Sequence, residues 1–189
     1  MTPALNPLPA FLWLSVGLLS IAAVLPAQAD EIPTGYRQVA TEYGIPAQLF
    51  YAVALTESRW TTSSGRALPW PWSLNVAGQS LRFPTRKAAW QALRTFLDQG
   101  KRRIDIGLMQ INWGYHAKQL GDPWRALDPY HNLQIGAQIL LDEYRRSGDW
   151  LEAAGRYHNP GSSPKQQRLA AAYRQRVLTM MQRIEDRSS

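Results

Sequence analysis

The chain of 189 residues contains no cysteine. This absence excludes disulfide bonds, thiolate metal sites and a cysteine nucleophile. Histidine is scarce, and two of the three histidines, His116 and His131, stand apart from any cluster of carboxylates. We therefore expect no metal site and no cofactor. A serine hydrolase is not expected either, because the sequence has no Gly-x-Ser-x-Gly motif and no organised histidine partner.

Charge is absent from the first 29 residues. The apolar run at residues 11–25 is shorter than the roughly 20 residues that a membrane-spanning helix needs. It is followed by Ala27-Gln28-Ala29, which fits the small-x-small cleavage pattern of secretory signals. The sequence predicts a signal peptide over residues 1–29, cleaved after Ala29, and an exported, periplasmic domain over residues 30–189. A retained anchor is the alternative, because no Lys or Arg precedes the apolar run.

The formal net charge of +7 lies entirely in the predicted mature domain. A basic exported domain suits an acidic partner, such as cell-wall glycan with its peptide carboxylates, anionic lipid or nucleic acid. Basic residues are interspersed with acidic ones except at residues 101–103 and 145–146. No Arg-rich tract with interleaved aromatic residues occurs, so nucleic acid is not an expected partner.

Apolar residues recur at helical spacing through most of the chain after residue 45, and a hydrophobic content of 45% is enough for a packed core. Spacing, caps and Gly or Pro boundaries predict helices at about residues 46–58, 86–99, 128–147, 150–158 and 165–184. The stretch "TTSSGRALPWPWSLNVAGQSLRFP" is too rich in Pro, Gly and Trp for a helix, and it predicts a short hairpin around Ala77-Gly78. The fold class predicted is mainly α, one domain, with at most a small β element in an insert at residues 61–104.

Glu57 ends the first predicted helix on its apolar face. At 100° per residue it lies about 20° from Phe50 and about 40° from Val53 on the helical wheel. Burial and the negative end of the helix dipole should both raise the pKa of its carboxyl group. A carboxylic acid that stays protonated near neutral pH is what general acid catalysis of glycoside cleavage needs. Periodicity alone favours the structural alternative, in which the stem packs on the core and the head reaches Arg59 or solvent.

Four short motifs that follow one another along the chain favour the catalytic interpretation of Glu57 over the structural one. They are "ALTESRW" with Glu57-Ser58, "GLMQIN" at residues 107–112, "DPYHNLQIGAQIL" with an Asn-x-x-x-Gly spacing, and "AAGRYH". In these motifs the sequence resembles the lytic transglycosylases of the soluble-lytic-transglycosylase (SLT) type, which are related to goose-type lysozyme. The resemblance covers about residues 45–160. It implies a small lysozyme-like helical domain with a cleft between the Glu57 helix and the segments that carry Gln110 and Tyr157.

The resemblance implies that Glu57 is the sole catalytic acid/base. It would cleave the β-1,4 bond between N-acetylmuramic acid (MurNAc) and N-acetylglucosamine (GlcNAc) of peptidoglycan. The muramic 6-hydroxyl then attacks its own anomeric carbon, which gives a 1,6-anhydro product without water. A second carboxylate is not required, unlike in two-carboxylate glycosidases.

The resemblance also implies substrate contacts. Ser58 would bond near the substrate acetamido group or orient Glu57, with helix capping as the alternative. Met109 and Gln110 would line the cleft, and the Gln110 amide would bond a sugar. Gly107 would let the backbone pass close to Glu57. For Met109 by itself, core packing is the alternative.

Tyr157 and His158, adjacent in the "AAGRYH" motif, are the last two site residues that the resemblance implies. Tyr157 would point its hydroxyl at Glu57 or at the substrate, with core packing as the alternative. His158 stands where the family usually has Asn; it can still donate a hydrogen bond, and its protonation could add pH dependence.

The last predicted helix carries a stripe of apolar side chains that indicates core packing, with docking of a partner as the alternative. These side chains are Leu169, Tyr173, Val177 and Met180.

The insert after Glu57 is longer than the family's usual gap. Similar inserts occur in transglycosylases attached to conjugation, type IV secretion and pilus systems, so components of such a machine are candidate partners beside peptidoglycan. In the insert, Trp70 and Trp72 could stack on sugars or simply hold the loop to the core, and Asn75 could reach an N-acetyl group.

Asp105, just before "IGLMQ", could position a water, which would make the enzyme a lysozyme-type hydrolase; a local backbone hydrogen bond is the simpler role. A non-catalytic peptidoglycan-binding assembly module is the other alternative. The intact Glu57, Gln110 and Tyr157 argue against it.

Overall fold

The computed structural model describes residues 32–63 and 65–188. The predicted signal peptide and its cleavage site lie outside these ranges. Within them, no helix combines the length and the apolar character needed to cross a bilayer.

Helices account for most of the described residues, which confirms the predicted fold class. In chain order they are α1 (Thr34–Glu42), α2 (Ala47–Ser58), α3 (Arg86–Asp98), α4 (Trp113–Leu120), α5 (Pro123–Ala126), α6 (Pro129–Ser147), α7 (Trp150–His158) and α8 (Pro164–Ser188). Helices α1, α4 and α5 were not expected from the sequence, and α8 extends beyond the predicted bounds at both ends.

Six short strands form two sheets. They are β1 (Arg59–Thr61), β2 (Ala67–Pro69), β3 (Ser73–Val76), β4 (Gln79–Arg82), β5 (Ile104–Ile106) and β6 (Ile111–Asn112). Strands β1 and β2 pair with each other, and the larger sheet has the antiparallel order β4-β3-β5-β6. The β structure is therefore not confined to the predicted insert at residues 61–104, because β1 begins at Arg59 and β6 lies inside the "GLMQIN" motif.

The predicted hairpin joins β3 to β4. Ala77 and Gly78 form its two-residue turn, and both have positive φ, at 52° and 96°. Positive φ at both central residues gives the turn the twist that matches two paired strands. The register places Leu74 and Val76 in the core, while Asn75 points to the other face of the sheet.

Side-chain caps fix where the helices begin. The Thr85 hydroxyl accepts from the Ala88 amide at the start of α3, and the Asp149 carboxylate accepts from the Glu152 amide at the start of α7. Gly148 ends α6 in the left-handed conformation, at φ 72°. These boundaries agree with the predicted ones because caps are local in sequence.

Helix α2 is the central element of the core. Seven of its residues in succession, from Leu49 to Leu55, are buried. It packs against α1 on one side and α8 on another, while α7 packs against both α6 and α8. Burial on all sides explains why α2 lacks a polar face, and it carries Glu57 out of the core at its C-terminal end.

Candidate active site

Glu57 lies in the last turn of α2, two residues before β1 begins at Arg59. Its side chain is 14% exposed, and burial raises the pKa of its carboxyl group from 4.5 to about 7. This value includes three smaller effects: a hydrogen bond from Tyr173 and the charge of Arg176 lower the pKa, and the charge of Asp105 raises it. The net result is a carboxyl group that holds and releases a proton near neutral pH.

The hydrogen bond to Glu57 comes from the C-terminal helix. The Tyr173 hydroxyl of α8 donates to Glu57 Oε1 over 2.6 Å, and Tyr173 is 1% exposed. Burial and the neighbouring Glu57 charge hold the pKa of Tyr173 well above its usual range, so the hydroxyl remains a donor. Sequence periodicity predicted this residue as core. Its ring does belong to the core, but its hydroxyl orients the candidate acid.

His158 lies beside this pair. Its ring stacks on Tyr173 with 4.5 Å between the ring centroids, and its Nδ1 is 3.9 Å from Glu57 Oε1. This separation is too long for a hydrogen bond. Burial lowers the pKa of His158, and the charge of Arg176 lowers it further. The imidazole is therefore mainly neutral at neutral pH and does not hold Glu57 ionised.

Tyr157 lies near Glu57 but bonds elsewhere. Its hydroxyl donates to the backbone oxygen of Met109 over 2.7 Å, rather than to the Glu57 carboxyl. Burial raises the pKa of Tyr157 well above its usual range, and the Glu57 charge adds to this. Tyr157 thus ties α7 to the "GLMQIN" motif, and it is Tyr173 that occupies the position expected for Tyr157 beside the acid.

Two residues of α6 interlock with the "GLMQIN" motif. Asn132 is fully buried; its Oδ1 accepts from the Met109 amide at 2.9 Å, and its Nδ2 donates to the Ile106 carbonyl at 3.0 Å. A Cβ at Gly107 would lie 2.6 Å from Asn132 Nδ2, and a Cβ at Gly136 would lie 2.6 Å from the Met109 side chain. The Asn-x-x-x-Gly spacing therefore places two residues one turn apart on the face of α6 that meets the motif. Asn132 holds the motif by hydrogen bonds, and Gly136 leaves space for the Met109 side chain.

This interlocking corrects two expectations. Met109 is fully buried, so its side chain packs in the core and does not line the cleft. Gly107, at φ 79°, allows a close approach to Asn132 and not to Glu57. For Met109, the family motif suggested the cleft, but the packing against Gly136 decides the position of its side chain.

Ser58 also holds two segments of the chain together. It is 2% exposed, and its hydroxyl lies 2.7 Å from the Leu108 carbonyl and 3.2 Å from the Ala54 carbonyl. A hydroxyl so buried and engaged is not placed to meet a sugar, and it does not bond Glu57. It joins the end of α2 to the "GLMQIN" motif, so the position of Glu57 depends on that motif.

Gln110 adopts a left-handed backbone conformation, with φ at 45°. This conformation is uncommon for a residue other than glycine and disfavours the folded state by about 1 kcal/mol. Its side-chain Nε2 donates to the Gly107 carbonyl at 2.9 Å and lies 3.2 Å from the Ser73 hydroxyl. Its Oε1 accepts no hydrogen bond from the residues described, so an acceptor stays available at this turn.

A family model described as the transglycosylase SLT domain matches residues 36–179. The chain belongs to the SLT transglycosylase family. The match covers most of α1 and most of α8 as well as the four motifs, so it extends beyond the resemblance seen in the sequence. The family is a family of enzymes with peptidoglycan as the substrate, outside the cytoplasm. Searches of curated proteins and of solved structures found no significant match.

In this SLT domain a polar row crosses the larger sheet. The register aligns Ser80, Asn75, Asp105 and Asn112 on one face of β4, β3, β5 and β6. The Asn75 side chain accepts from the Gly78 amide at 2.8 Å and so stabilises the hairpin turn. Asp105 accepts from the Asn112 side chain at 2.7 Å, and burial raises the pKa of the Asp105 carboxyl. The expected backbone bond of Asp105 is thus replaced by a side-chain bond.

Three tryptophans of the SLT domain, Trp60, Trp70 and Trp72, lie next to one another. Trp70 donates from Nε1 to the Phe83 carbonyl at 2.8 Å, and its ring meets Trp72 edge to face at 5.8 Å. Trp72 packs against the core. Trp60 of β1 is 43% exposed, with the guanidinium of Arg82 over its ring at 5.1 Å. Of the three rings, Trp60 is therefore the one most open to solvent, and sequence reasoning did not single it out.

An open cleft of about 500 Å³ lies beside Glu57. Its walls come from the end of α2, from β4 and from α8, and they include Thr56, Arg82, Arg176 and Thr179. Among the described residues of the SLT domain, no group of three or more His, Asp or Glu side chains could hold a metal ion. Glu57 is the one carboxylate among the residues that line this cleft.

Proposed function

We propose that this chain is a lytic transglycosylase that cleaves the MurNAc-β-1,4-GlcNAc bond, with Glu57 as its single acid/base. Protonated Glu57 gives its proton to the glycosidic oxygen as the bond to the muramic anomeric carbon breaks. The substrate acetamido oxygen stabilises the positive charge on that carbon. The Glu57 carboxylate then takes the proton of the muramic 6-hydroxyl, whose oxygen closes the 1,6-anhydro ring.

The observation that carries this proposal is the pKa of Glu57 near 7 in an open cleft. One group that must first give and then take a proton works best when both of its forms are populated. The hydrogen bond from Tyr173 fits both steps, because a phenol hydroxyl can donate to the protonated and to the ionised carboxyl group. Neutral His158, stacked on the same tyrosine, adds no charge that would lock Glu57 as an anion.

We propose that Gln110 contacts the glycan through Oε1, as the acceptor of an acetamido N–H. Its Nε2 is engaged with Gly107 and Ser73, which fixes the amide, while Oε1 has no partner among the described residues. An amide that is already held in place loses little freedom when it binds a sugar. Asn75 has its oxygen in the hairpin turn, so its remaining contribution to the substrate is the side-chain NH2 group.

Hydrolysis is the second candidate reaction, and Asp105 is the observation that favours it. Its charge is close enough to raise the pKa of Glu57, and burial raises the pKa of Asp105 as well. A second carboxylate could hold a water for attack on the sugar. However, the bond from Asn112 engages one of its oxygens and favours the ionised form.

Product analysis distinguishes these reactions. Purified sacculi are digested with the mature domain, and the soluble fragments are analysed by mass spectrometry. Anhydromuramic ends support the transglycosylase, whereas reducing muramic ends would assign a hydrolase. The Glu57→Gln variant should release neither, since an amide cannot donate the proton. Sacculi that stay intact with the wild type, but bind it, would instead identify a non-catalytic wall-binding module.

We further propose that the enzyme opens the wall for a secretion, conjugation or pilus apparatus. The long insert after Glu57 supports this role, because inserts of this kind resemble those of transglycosylases that work with such machines. The test is complementation in a host that carries the machine and lacks this chain. Wild type should restore transfer or secretion and Glu57→Gln should not; restoration by both would show that catalysis is not the main role.

A further inference from the structure

A second, smaller pocket adjoins the Glu57 cleft and is lined by arginine. We call it the arginine pocket; its arginines are Arg59, Arg66, Arg183 and Arg187. Its apolar wall includes Leu55, Met180 and Ile184. The two spaces are neighbours, because four residues line both of them: Leu55, Arg59, Met180 and Arg183.

The residues that line the arginine pocket and the cleft are mainly basic. The two linings together hold six arginines, the four above with Arg82 and Arg176, and a single acidic residue, Glu57. Neither Arg59 nor Arg183 has an ion-pair partner in the part of the chain that the structure describes. A groove with this charge raises the local concentration of anions, and guanidinium groups pair well with carboxylates.

The arginines of α8 form a stripe that leads away from Glu57. Arg176, Met180, Arg183 and Arg187 follow one another at spacings of four, three and four residues, which places them on one face of the helix. At a rise of 1.5 Å per residue, the stripe is about 16 Å long. An extended peptide of five residues spans about the same distance, at roughly 3.3 Å per residue.

The volume of the arginine pocket indicates which part of a ligand can enter it. The arginine pocket has a volume of about 50 Å³, against about 500 Å³ for the cleft. On the scale at which one water needs about 10–15 Å³, it has room for a few water-sized groups. A carboxylate or a methyl group fits such a space and a hexose ring does not.

From these observations we infer that the arginine pocket and the α8 stripe bind the carboxylate-bearing stem peptide of the muramic residue at the cleavage site. This inference rests on the proposed function, because that substrate joins the glycan bond and the peptide in one molecule. The peptide leaves the muramic lactyl group beside the scissile bond, and it carries both free carboxylates and alanine methyl groups. The arginines meet the carboxylates, and Leu55, Met180 and Ile184 meet the methyl groups.

The test compares soluble peptidoglycan strands with the same strands stripped of peptide by an amidase. The quantity measured is the ratio of kcat/KM on peptide-bearing strands to kcat/KM on stripped strands. The wild type should prefer the peptide-bearing strands several-fold. Arg59→Gln and Arg183→Gln should each lower this ratio about three- to fivefold, as expected for exposed ion pairs, and the double variant should bring it close to one.

Arg168→Gln is the matched control. It removes the same charge from an exposed position of the same helix, outside both linings, so it should keep the wild-type ratio. Raising the ionic strength from about 0.05 M to about 0.5 M should lower the wild-type ratio, because salt screens exposed pairs. A double variant that keeps the preference, or a wild type without one, would overturn the inference and leave an acidic segment of a protein partner as the ligand to test.

A binding measurement separates this inference from the proposed function. Calorimetry with the Glu57→Gln variant, on peptide-bearing and stripped strands, needs no turnover. Tighter binding of the peptide-bearing strands, lost when Arg59→Gln and Arg183→Gln are added, supports the arginine pocket even where no anhydromuramic product forms. Equal binding of both strands overturns it even where the transglycosylase is active.

Discussion

The raised pKa of Glu57 makes a quantitative prediction for stability. Between the ordinary value of 4.5 and the folded value of about 7, the unfolded chain ionises this carboxyl group and the folded chain does not. The unfolded state therefore binds fewer protons, and stability falls as the pH rises through this window. At about 1.4 kcal/mol per pH unit, the free energy of unfolding falls by roughly 3 kcal/mol from this residue alone.

Glu57→Gln removes this titration. The amide oxygen of Gln can still accept from Tyr173, so the buried site keeps its hydrogen bond in the variant. We expect the variant to gain about 3 kcal/mol over the wild type between pH 4 and pH 8, on top of any difference that does not change with pH. The gain should be complete above about pH 7, where folded Glu57 is ionised as well.

The assay is urea unfolding of both proteins at several pH values from 4 to 9. Glu42→Gln serves as the control, because it removes one carboxylate from an exposed position of α1. A difference between Glu57→Gln and the wild type that stays constant from pH 4 to pH 9 would refute the reasoning. It would mean that Glu57 titrates alike in the folded and unfolded chains, and the proposed acid role would lose its physical basis.

Four further substitutions test the contacts around the site and their controls. Tyr173→Phe removes a hydrogen bond that favours the ionised carboxylate, so the pKa of Glu57 should rise and the alkaline limb of kcat/KM should move up by roughly one pH unit. Tyr157→Phe, whose bond goes to the backbone, should lower stability by about 1 kcal/mol without an equal shift of that limb. Gly107→Ala should lower the free energy of unfolding by at least about 3 kcal/mol, because positive φ and a steric clash add. Gly148→Ala, with a similar φ and open space, should lower it by only about 1–2 kcal/mol in chemical denaturation.

The sequence predicted best where the cause is local. Thr85, Asp149 and Gly148 mark helix ends through bonds to residues a few positions away, and the structure confirms all three. The Ala77-Gly78 hairpin is of the same kind, because two residues with positive φ define it. The pKa of Glu57 could be given a direction from the helical wheel, since burial depends on the face of the helix.

Contacts between distant segments were predicted less well. The motif suggested that the Met109 side chain lines the cleft. In the structure this side chain packs in the core, in the space that Gly136 of α6 leaves open. Ser58 could be placed next to Glu57 from the sequence, yet its bond to Leu108, fifty residues away, could not. Asn132 was part of a motif match, and only the structure shows that its amide holds the "GLMQIN" segment. In each case a partner far along the chain fixes the side chain, and periodicity carries no information on that partner.

Tyr173 shows why the C-terminal helix belongs to the site. The stripe on α8 correctly placed the ring in the core, but it could not reveal that the hydroxyl meets a residue 116 positions earlier. The same helix supplies Arg176, which lowers the pKa of both Glu57 and His158, and it covers the end of α2. Burial is the largest cause of the raised pKa of Glu57, and the two contacts that lower this pKa, Tyr173 and Arg176, both come from α8. A site derived from the four motifs alone therefore contains the acid but not the contacts that set how far its pKa rises.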